Sequence, residues 1–241
     1  MPPFDVSLEA VSENAVLLAW QEKICPEQHR HIMACRDAIH RQFSSLVIDT
    51  VAGYNSLMLY YHFQLTDPDT LLSRLKQLIR EVPAQGAEKD TQPVLEIPVC
   101  YDEKAGWDLT RVAKQTSLSR EQVIALHQEP GYRAYALGFT PGFCYLGSLA
   151  PQLQLSRRSN PRASVPKGAV AIAGMQTAVY PNASPGGWHI LGQTPLAMYS
   201  VKEQSFEPLI TPGRQIRFYA IDAETFKAMA GEPVAEEGEG K

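Results

Sequence analysis

Acidic side chains are absent from residues 130–202 of the 241-residue chain, although the whole chain has a formal net charge of −4. The same stretch holds six basic side chains, Arg133, Arg157, Arg158, Arg162, Lys167 and Lys202. Catalysis by paired carboxylates and binding of Mg²⁺ both need Asp or Glu, so this stretch supplies neither by itself. The pattern favours an anion-binding surface. The alternative is a tightly turned β-barrel that simply has few acidic positions.

Segments that would insert into or cross a membrane are also lacking. No apolar run approaches the about 20 residues of a membrane-spanning helix, and the first ten residues, MPPFDVSLEA, contain no basic region followed by a hydrophobic core. The four cysteines, Cys25, Cys35, Cys100 and Cys144, show no C-x-x-C spacing, which favours reduced thiols over disulfides or zinc. These features predict a cytoplasmic protein without membrane contact.

The common nucleotide-binding motifs G-x-x-x-x-G-K-[ST] and G-x-G-x-x-G do not occur, so an ATP site would be of a different type. A pI near 5.9 argues against general nucleic-acid binding. The segment LTRVAKQTSLSREQVIALH resembles a helix-turn-helix, but its second helix carries one basic side chain, Arg120, beside Glu121 and Glu129. We therefore interpret residues 108–116 and 119–128 as packed helices and expect no nucleic-acid partner.

The N-terminal part alternates strands and helices. Apolar runs of strand length occupy residues 15–20, 46–51, 56–63 and 94–99. Helical spacing of apolar residues predicts helices over residues 26–42 and 68–82, the second beginning after Asp67 as N-cap and ending before Pro83. The resulting βαββαβ order is that of a ferredoxin-like domain.

Four possible metal ligands, Cys25, His29, His31 and Cys35, lie on the first of these helices or just before it. At about 100° per residue the first two point in one direction and the last two in another. The spacing therefore predicts ordinary helix residues and no metal site.

Beyond Pro130 the chain is rich in Gly and Pro, and short apolar runs alternate with turns. Strands are predicted over residues 132–139, 169–173, 177–180, 189–191, 196–201 and 216–221. No helix is predicted in this region, so the strands are expected to close into a barrel. The Glu- and Gly-rich end of the chain predicts a disordered tail.

Several long motifs in this region resemble one family. GFTPGFCYLGSL, NPR, VPKGAVAIAG, QTAVYP, SPGGWHILGQTP and the late PG-x-x-[VI]-RF pattern are similar to the signature of the KipI family, also called allophanate hydrolase subunit 1. The resemblance covers about residues 16–218. It implies an α+β fold with a ferredoxin-like domain over residues 1–93 and a cyclophilin-like β-barrel over residues 94–225. The composition of the remaining residues, 226–241, predicts a disordered tail.

The resemblance also implies a function. Members are similar to one subunit of a three-subunit 5-oxoprolinase, which uses ATP to open 5-oxoproline to glutamate. The implied partners are a carboxyltransferase-like C subunit of the KipA type and an A subunit of the LamB/YcsF type. ATP would be bound by the assembled complex, and Mg²⁺ would take ligands from a partner. The alternatives are a binding protein that inhibits a histidine kinase and an enzyme subunit that acts on allophanate or urea.

ATP-driven opening of a cyclic amide is expected to pass through a phosphorylated amide oxygen, so the site must hold a carboxylate and phosphate oxygens. Arg158 and Arg162 are the first candidates because a guanidinium binds two oxygens at once. His127 is a candidate general base, with His189 the only other one near these motifs. The remaining candidate substrate- or anion-binding residues are Lys167, Gln176, Thr177, Tyr180, Gly186, Gly187, Trp188, Phe143 and Tyr145. For the glycines the alternative is a tight turn, and for the aromatic residues it is plain core packing.

Overall fold

The computed structural model describes residues 4–83, 93–202 and 205–230. Within them, contacts divide the chain into two compact units, Met1–Thr91 with Tyr135–Leu137, and Gln92–Ala134 with Gly138–Lys241. The domain boundary expected after residue 93 stays a prediction.

The first unit is a four-stranded antiparallel sheet with two helices. Its elements are β1 (Ser7–Ser12), β2 (Ala15–Ala19), α1 (Pro26–Gln42), β3 (Val47–Ala52), β4 (Ser56–Tyr61) and α2 (Pro68–Glu81). The strand order is β1-β2-β4-β3. Apolar side chains of both helices and the sheet form one core, which includes Leu18, Ile32, Leu59 and Leu75, all fully buried. Asp67 caps α2 as predicted, since its Oδ1 accepts a hydrogen bond from the Thr70 N–H at 2.9 Å.

The predicted βαββαβ order is wrong at its two ends. The run predicted as the fourth strand is β5 (Leu95–Cys100), which belongs to the barrel of the second unit. The sheet position beside β2 is instead taken by β1, a strand that the sequence did not reveal because half of its residues are polar and most are exposed. The structure therefore establishes a mixed α+β unit without the expected ferredoxin-like strand order along the chain.

The second unit is built on a closed seven-stranded barrel of order β10-β7-β6-β15-β5-β12-β9. Its barrel strands are β5, β6 (Tyr132–Leu137), β7 (Cys144–Gly147), β9 (Ala169–Ala173), β10 (Gln176–Val179), β12 (His189–Gln193) and β15 (Gln215–Ile221). Two antiparallel pairs stand outside it, β8 (Arg162–Val165) with β11 (Ser184–Gly186), and β13 (Tyr199–Lys202) with β14 (Ser205–Pro208). The predicted closed barrel is confirmed.

Helices of the second unit lie between the barrel strands and after the last of them. They are α3 (Leu109–Thr116), α4 (Arg120–Gln128), the 3₁₀ turn Pro151–Leu153 and α5 (Ala223–Ala230). The two packed helices predicted from the helix-turn-helix-like segment are confirmed, and Ser119 and Gln122 form a capping box at the start of α4.

The expectation that no helix follows Pro130 is wrong, as is the disordered tail for residues 226–230. Those residues belong to α5, whose Phe226 is buried in a small cluster with Cys100 and Ala105. Asp222, just before the helix, supports it by accepting a hydrogen bond from the Thr225 N–H at 2.7 Å. The rest of the predicted tail lies outside the described residues.

Candidate functional site

Asp108, the residue before α3, is the centre of a buried ionic cluster. Its carboxylate accepts hydrogen bonds from both Arg158 and Arg162, the latter through Nη1 at 2.8 Å and Nη2 at 3.0 Å. The Ile190 N–H donates a further bond at 2.8 Å. The Asp108 residue is only 1% exposed, so a buried carboxylate neutralises one of two guanidinium charges.

Two opposing effects act on the ionisation of Asp108. Burial by itself raises its pKa, but the hydrogen bond and charge of Arg162, the Ile190 N–H and the charge of Arg158 outweigh burial and hold the pKa below its usual value. The carboxylate is therefore ionised at neutral pH and keeps both arginines in place.

The structure brings Arg158 and Arg162 together. It also places beside them an acidic residue, Asp108, that lies outside the acid-free stretch. Asp108 lies 50 residues before Arg158 and 54 before Arg162, and the fold returns it to their side chains. Arg162 donates to this carboxylate through two nitrogens and Arg158 through one, while the buried Arg158 Nε has no hydrogen-bond partner among the described residues. Arg162 also lies over the Trp107 ring, with its Cζ 5.3 Å from the ring centroid. Their role as first ligands of a substrate anion stays a prediction.

A cluster of aromatic side chains lies next to the arginines. The ring centroid of Phe143 lies 5.0 Å from that of Tyr145, 5.4 Å from that of Tyr180 and 5.8 Å from that of Trp188, in edge-to-face geometry. All four rings were predicted site residues, and the structure brings them together. Phe143, Tyr180 and Trp188 are buried, while Tyr145 is half-buried.

Gly186 is required by this cluster, since a Cβ there would overlap the Tyr180 hydroxyl. Burial raises the pKa of Tyr180 to about 12, and the nearby charge of Arg157 and the Trp188 N–H oppose that rise. The Tyr180 phenol is therefore a neutral hydrogen-bonding group at physiological pH, as expected for a residue that binds without exchanging protons.

Arg157, like Asp108, was left out of the candidate set by the sequence analysis. Its guanidinium Cζ lies 5.9 Å from the centroid of the Trp188 ring, within the range of a cation–π contact. The side chain is exposed, and it forms no ion pair with any residue that the structure describes. Its place in RRSNPR, directly before Arg158, was the only available signal.

His127, by contrast, is enclosed on all sides. Its Nδ1 lies 2.8 Å from the Tyr101 hydroxyl and its Nε2 lies 3.0 Å from Thr177 Oγ1, while its ring stacks on Phe218. Thr177 donates its own proton to the Ala171 carbonyl, so it accepts from His127 Nε2, and Nδ1 accepts from Tyr101. An enclosed imidazole with both nitrogens bonded cannot contact a substrate in this conformation. The same holds for Thr177, which is also fully buried.

The remaining predicted residues are spread around the barrel. Lys167 is exposed, and its carbonyl accepts a hydrogen bond from Gln193 Nε2 at 2.7 Å. Gln176 begins β10, and the Gly187 carbonyl accepts from the Arg158 N–H at 2.8 Å. Their binding roles stay predictions. Buried His189 donates from Nε2 to the Ser156 carbonyl at 2.8 Å, which assigns it a structural contact.

An open groove of about 500 Å³ lies elsewhere on the second unit, lined by residues that include Tyr101, Arg120, Glu121 and Asp222. It contains none of the predicted site residues. In the parts of the chain that the structure describes, no three His, Cys, Asp or Glu side chains are placed to hold a metal ion. Nor does any described helix have the length and apolar character needed to cross a bilayer.

Comparison with known proteins gives a decisive match. The sequence pattern of the carboxyltransferase domain, subdomain C and D, matches residues 6–209. The chain belongs to this carboxyltransferase-domain family. It is 33% identical over 229 residues to the 5-oxoprolinase B subunit of Bacillus subtilis, covering 92% of this chain and 95% of that one. It is 40% identical over 174 residues to the 5-oxoprolinase B subunit of Escherichia coli O157:H7, covering 71% and 77%. The resemblance noted in the sequence is confirmed.

Solved structures agree with this architecture. The crystal structure of TTHA0988 superposes with a TM-score of 0.76 at 40% identity and covers 86% of this chain, which spans 40% of that longer protein. The urea amidolyase of K. lactis superposes with a TM-score of 0.73 at 17% identity, over 97% of this chain and 16% of that one. At this low identity the second likeness shows the fold alone.

Proposed function

We propose that this chain is one subunit of an ATP-dependent 5-oxoprolinase, which converts 5-oxo-L-proline, ATP and water to L-glutamate, ADP and phosphate. The observation that carries the proposal is its 33% identity with a 5-oxoprolinase B subunit over 95% of that protein's length. Sequence identity along a whole subunit is stronger evidence for a shared role than similarity of fold alone. The chain would act with two partners, an A subunit plus a carboxyltransferase-like C subunit.

The geometry supports a binding role for this chain within a shared site. Arginine, tyrosine and tryptophan side chains are grouped beside Asp108, and they suit recognition of a small anion with an apolar ring. The histidine predicted as general base, His127, is buried and engaged. We therefore assign proton transfer to a partner subunit, with substrate binding left to this chain.

The described residues do not by themselves fit a complete site for ATP and Mg²⁺. Asp108 bonds to two of the three arginines of RRSNPR and neutralises one of their charges, so the motif alone carries less positive charge than a triphosphate needs. No set of three metal-ligating side chains is available among the described residues. The proposal therefore places ATP in the assembled complex, with ligands for Mg²⁺ from a partner subunit.

The test is reconstitution from purified subunits. This chain and the two proposed partners are mixed with 5-oxoproline and ATP, and glutamate and ADP are measured, with each subunit omitted in turn. We expect equal amounts of glutamate and ADP only from the complete mixture. If a complete mixture of folded subunits shows no turnover, 5-oxoproline is not the substrate. If turnover is complete without this chain, the chain is not a subunit of the enzyme.

A further inference from the structure

The three arginines of RRSNPR differ in whether a carboxylate lies beside their positive charge. Arg158 and Arg162 both bond to the buried Asp108 carboxylate. Arg157 is exposed and has no ion-pair partner among the described residues. An incoming anion would therefore have to compete with Asp108 for the first two, but not for Arg157.

The backbone on both sides of Arg157 is anchored. The preceding carbonyl, of Ser156, accepts a hydrogen bond from the buried His189 ring at 2.8 Å. The following N–H, of Arg158, donates to the Gly187 carbonyl at 2.8 Å, and the Arg158 side chain is held by Asp108. Arg157 is thus presented from a fixed segment, which lowers the entropy cost of ordering it around a ligand.

The Arg157 side chain is also directed by the aromatic cluster. Its guanidinium Cζ lies 5.9 Å from the centroid of the Trp188 ring. A planar guanidinium that stacks on an indole keeps its N–H edge free to form a bidentate contact with a carboxylate or a phosphoryl group.

We propose that Arg157 is the side chain that binds the oxyanion of the ligand, from the position that its contact with the Trp188 ring gives it. The ligand class is a small molecule with a carboxylate or phosphoryl group. The inference rests on the proposed function for the identity of that ligand, 5-oxoproline or a nucleotide, and on the contacts above for the site.

The test is equilibrium binding by calorimetry to the full chain, alone and in the assembled complex. The probes are 5-oxoproline, its uncharged analogue pyrrolidin-2-one, inorganic phosphate and ADP. In Arg157→Ala we expect the Kd of the anionic probe to rise about 10- to 100-fold, as for loss of a charge-assisted contact. Binding of pyrrolidin-2-one should not change. Arg157→Lys keeps the charge but loses the planar guanidinium, so its Kd for the anionic probe should lie between those of the wild type and Arg157→Ala.

Arg111→Ala is the matched control, since Arg111 is an exposed arginine on α3 of the same unit. Both alanine variants should melt within about 2 °C of the wild type, because exposed side chains contribute little to stability. Weaker binding of 5-oxoproline alone identifies a carboxylate contact, whereas weaker binding of phosphate and ADP alone identifies a phosphoryl contact. Either result supports the proposal.

Two results would overturn it: equal Kd values in Arg157→Ala and Arg111→Ala for every probe, or no binding of any anionic probe to the chain or the complex. Failure of the proposed function looks different. A complex that binds 5-oxoproline through Arg157 without forming glutamate refutes the reaction and leaves the site standing. Turnover that is insensitive to Arg157→Ala refutes the site and leaves the reaction standing.

Discussion

Asp108 gathers three separate segments of the second unit at one carboxylate: the start of α3, the RRSNPR motif and the start of β12. Its two oxygens receive all of these bonds while the residue is almost completely buried. A buried charge is tolerated only when it is paired and hydrogen-bonded, so each member of the cluster depends on the others.

Replacing Asp108 tests this dependence. We expect Asp108→Asn to lower the free energy of unfolding by about 3–5 kcal/mol, because it leaves two poorly exposed guanidinium charges without a counter-charge. Urea denaturation followed by circular dichroism measures the change. Glu103→Gln, at an exposed position of the same unit, should stay within about 0.5 kcal/mol of wild type. Equal stability of the two variants would show that the cluster contributes nothing.

The short helix α5 is held against the rest of the second unit by one buried side chain. The helix is eight residues long, and Phe226 is its buried residue, at 3% exposure. An isolated helix of this length is unstable in water, so its packing against Cys100 and Ala105 must supply the stabilisation.

The corresponding prediction concerns Phe226→Ala. Removing a buried phenyl ring should cost about 3–5 kcal/mol of unfolding free energy and increase amide exchange throughout α5. Hydrogen exchange with mass spectrometry measures the second effect. Met229→Ala removes a 48% exposed side chain from the same helix and serves as control. Unchanged protection of α5 in Phe226→Ala would contradict the packing described here.

Sequence patterns predicted the elements whose signals are local. The helices α1, α2 and α4 were found because Asp67, Ser119 and periodic apolar residues mark them within a few positions. β5 was found as a strand but assigned to the wrong sheet, because its parallel neighbour β15 lies about 120 residues further on. Strand pairing depends on such distant partners, and no short window contains them.

The candidate site was predictable to a similar extent. Its aromatic residues and arginines lie in Gly- and Pro-rich motifs that attract attention, and the structure groups them. The acid that neutralises Arg158 and Arg162 could not be found, because Asp108 lies outside the acid-free stretch and resembles an ordinary helix cap. The enclosure of His127 could not be found for the same reason, because it depends on Tyr101, Thr177 and Phe218 from three other segments.

For the molecule as a whole, His127 links folding to pH. Burial lowers the pKa of His127 to about 3, whereas an unfolded histidine titrates near 6.5. Between these values the unfolded chain binds a proton that the folded chain does not. This histidine therefore adds no pH dependence above about 6.5, and it reduces stability as the pH falls from there towards 3.

Through this group alone, we expect the free energy of unfolding of the wild type to fall by about 1.4 kcal/mol per pH unit from about pH 6 to pH 3.5. His127→Gln should remove that part of the slope, although it lowers stability at pH 7. Urea denaturation across the range measures both slopes. Parallel slopes for the two proteins would show that His127 is protonated in the folded state. Asp108, whose pKa is lowered in the folded state, reduces the free energy of unfolding further only at the acidic end of this pH range.

The parallel pairing of β5 with β15 has a consequence for synthesis of the chain. Glu96 and Arg217, which meet across this pair, are 121 positions apart. At about 5–20 residues per second, a ribosome needs about 6–24 s to deliver the second strand after the first. Until then the barrel cannot close, and β5 waits with an unpaired edge on the side that β15 will occupy. During that interval the open edge of β5 can pair with another strand, so slower synthesis lengthens the time in which the nascent chain can misfold.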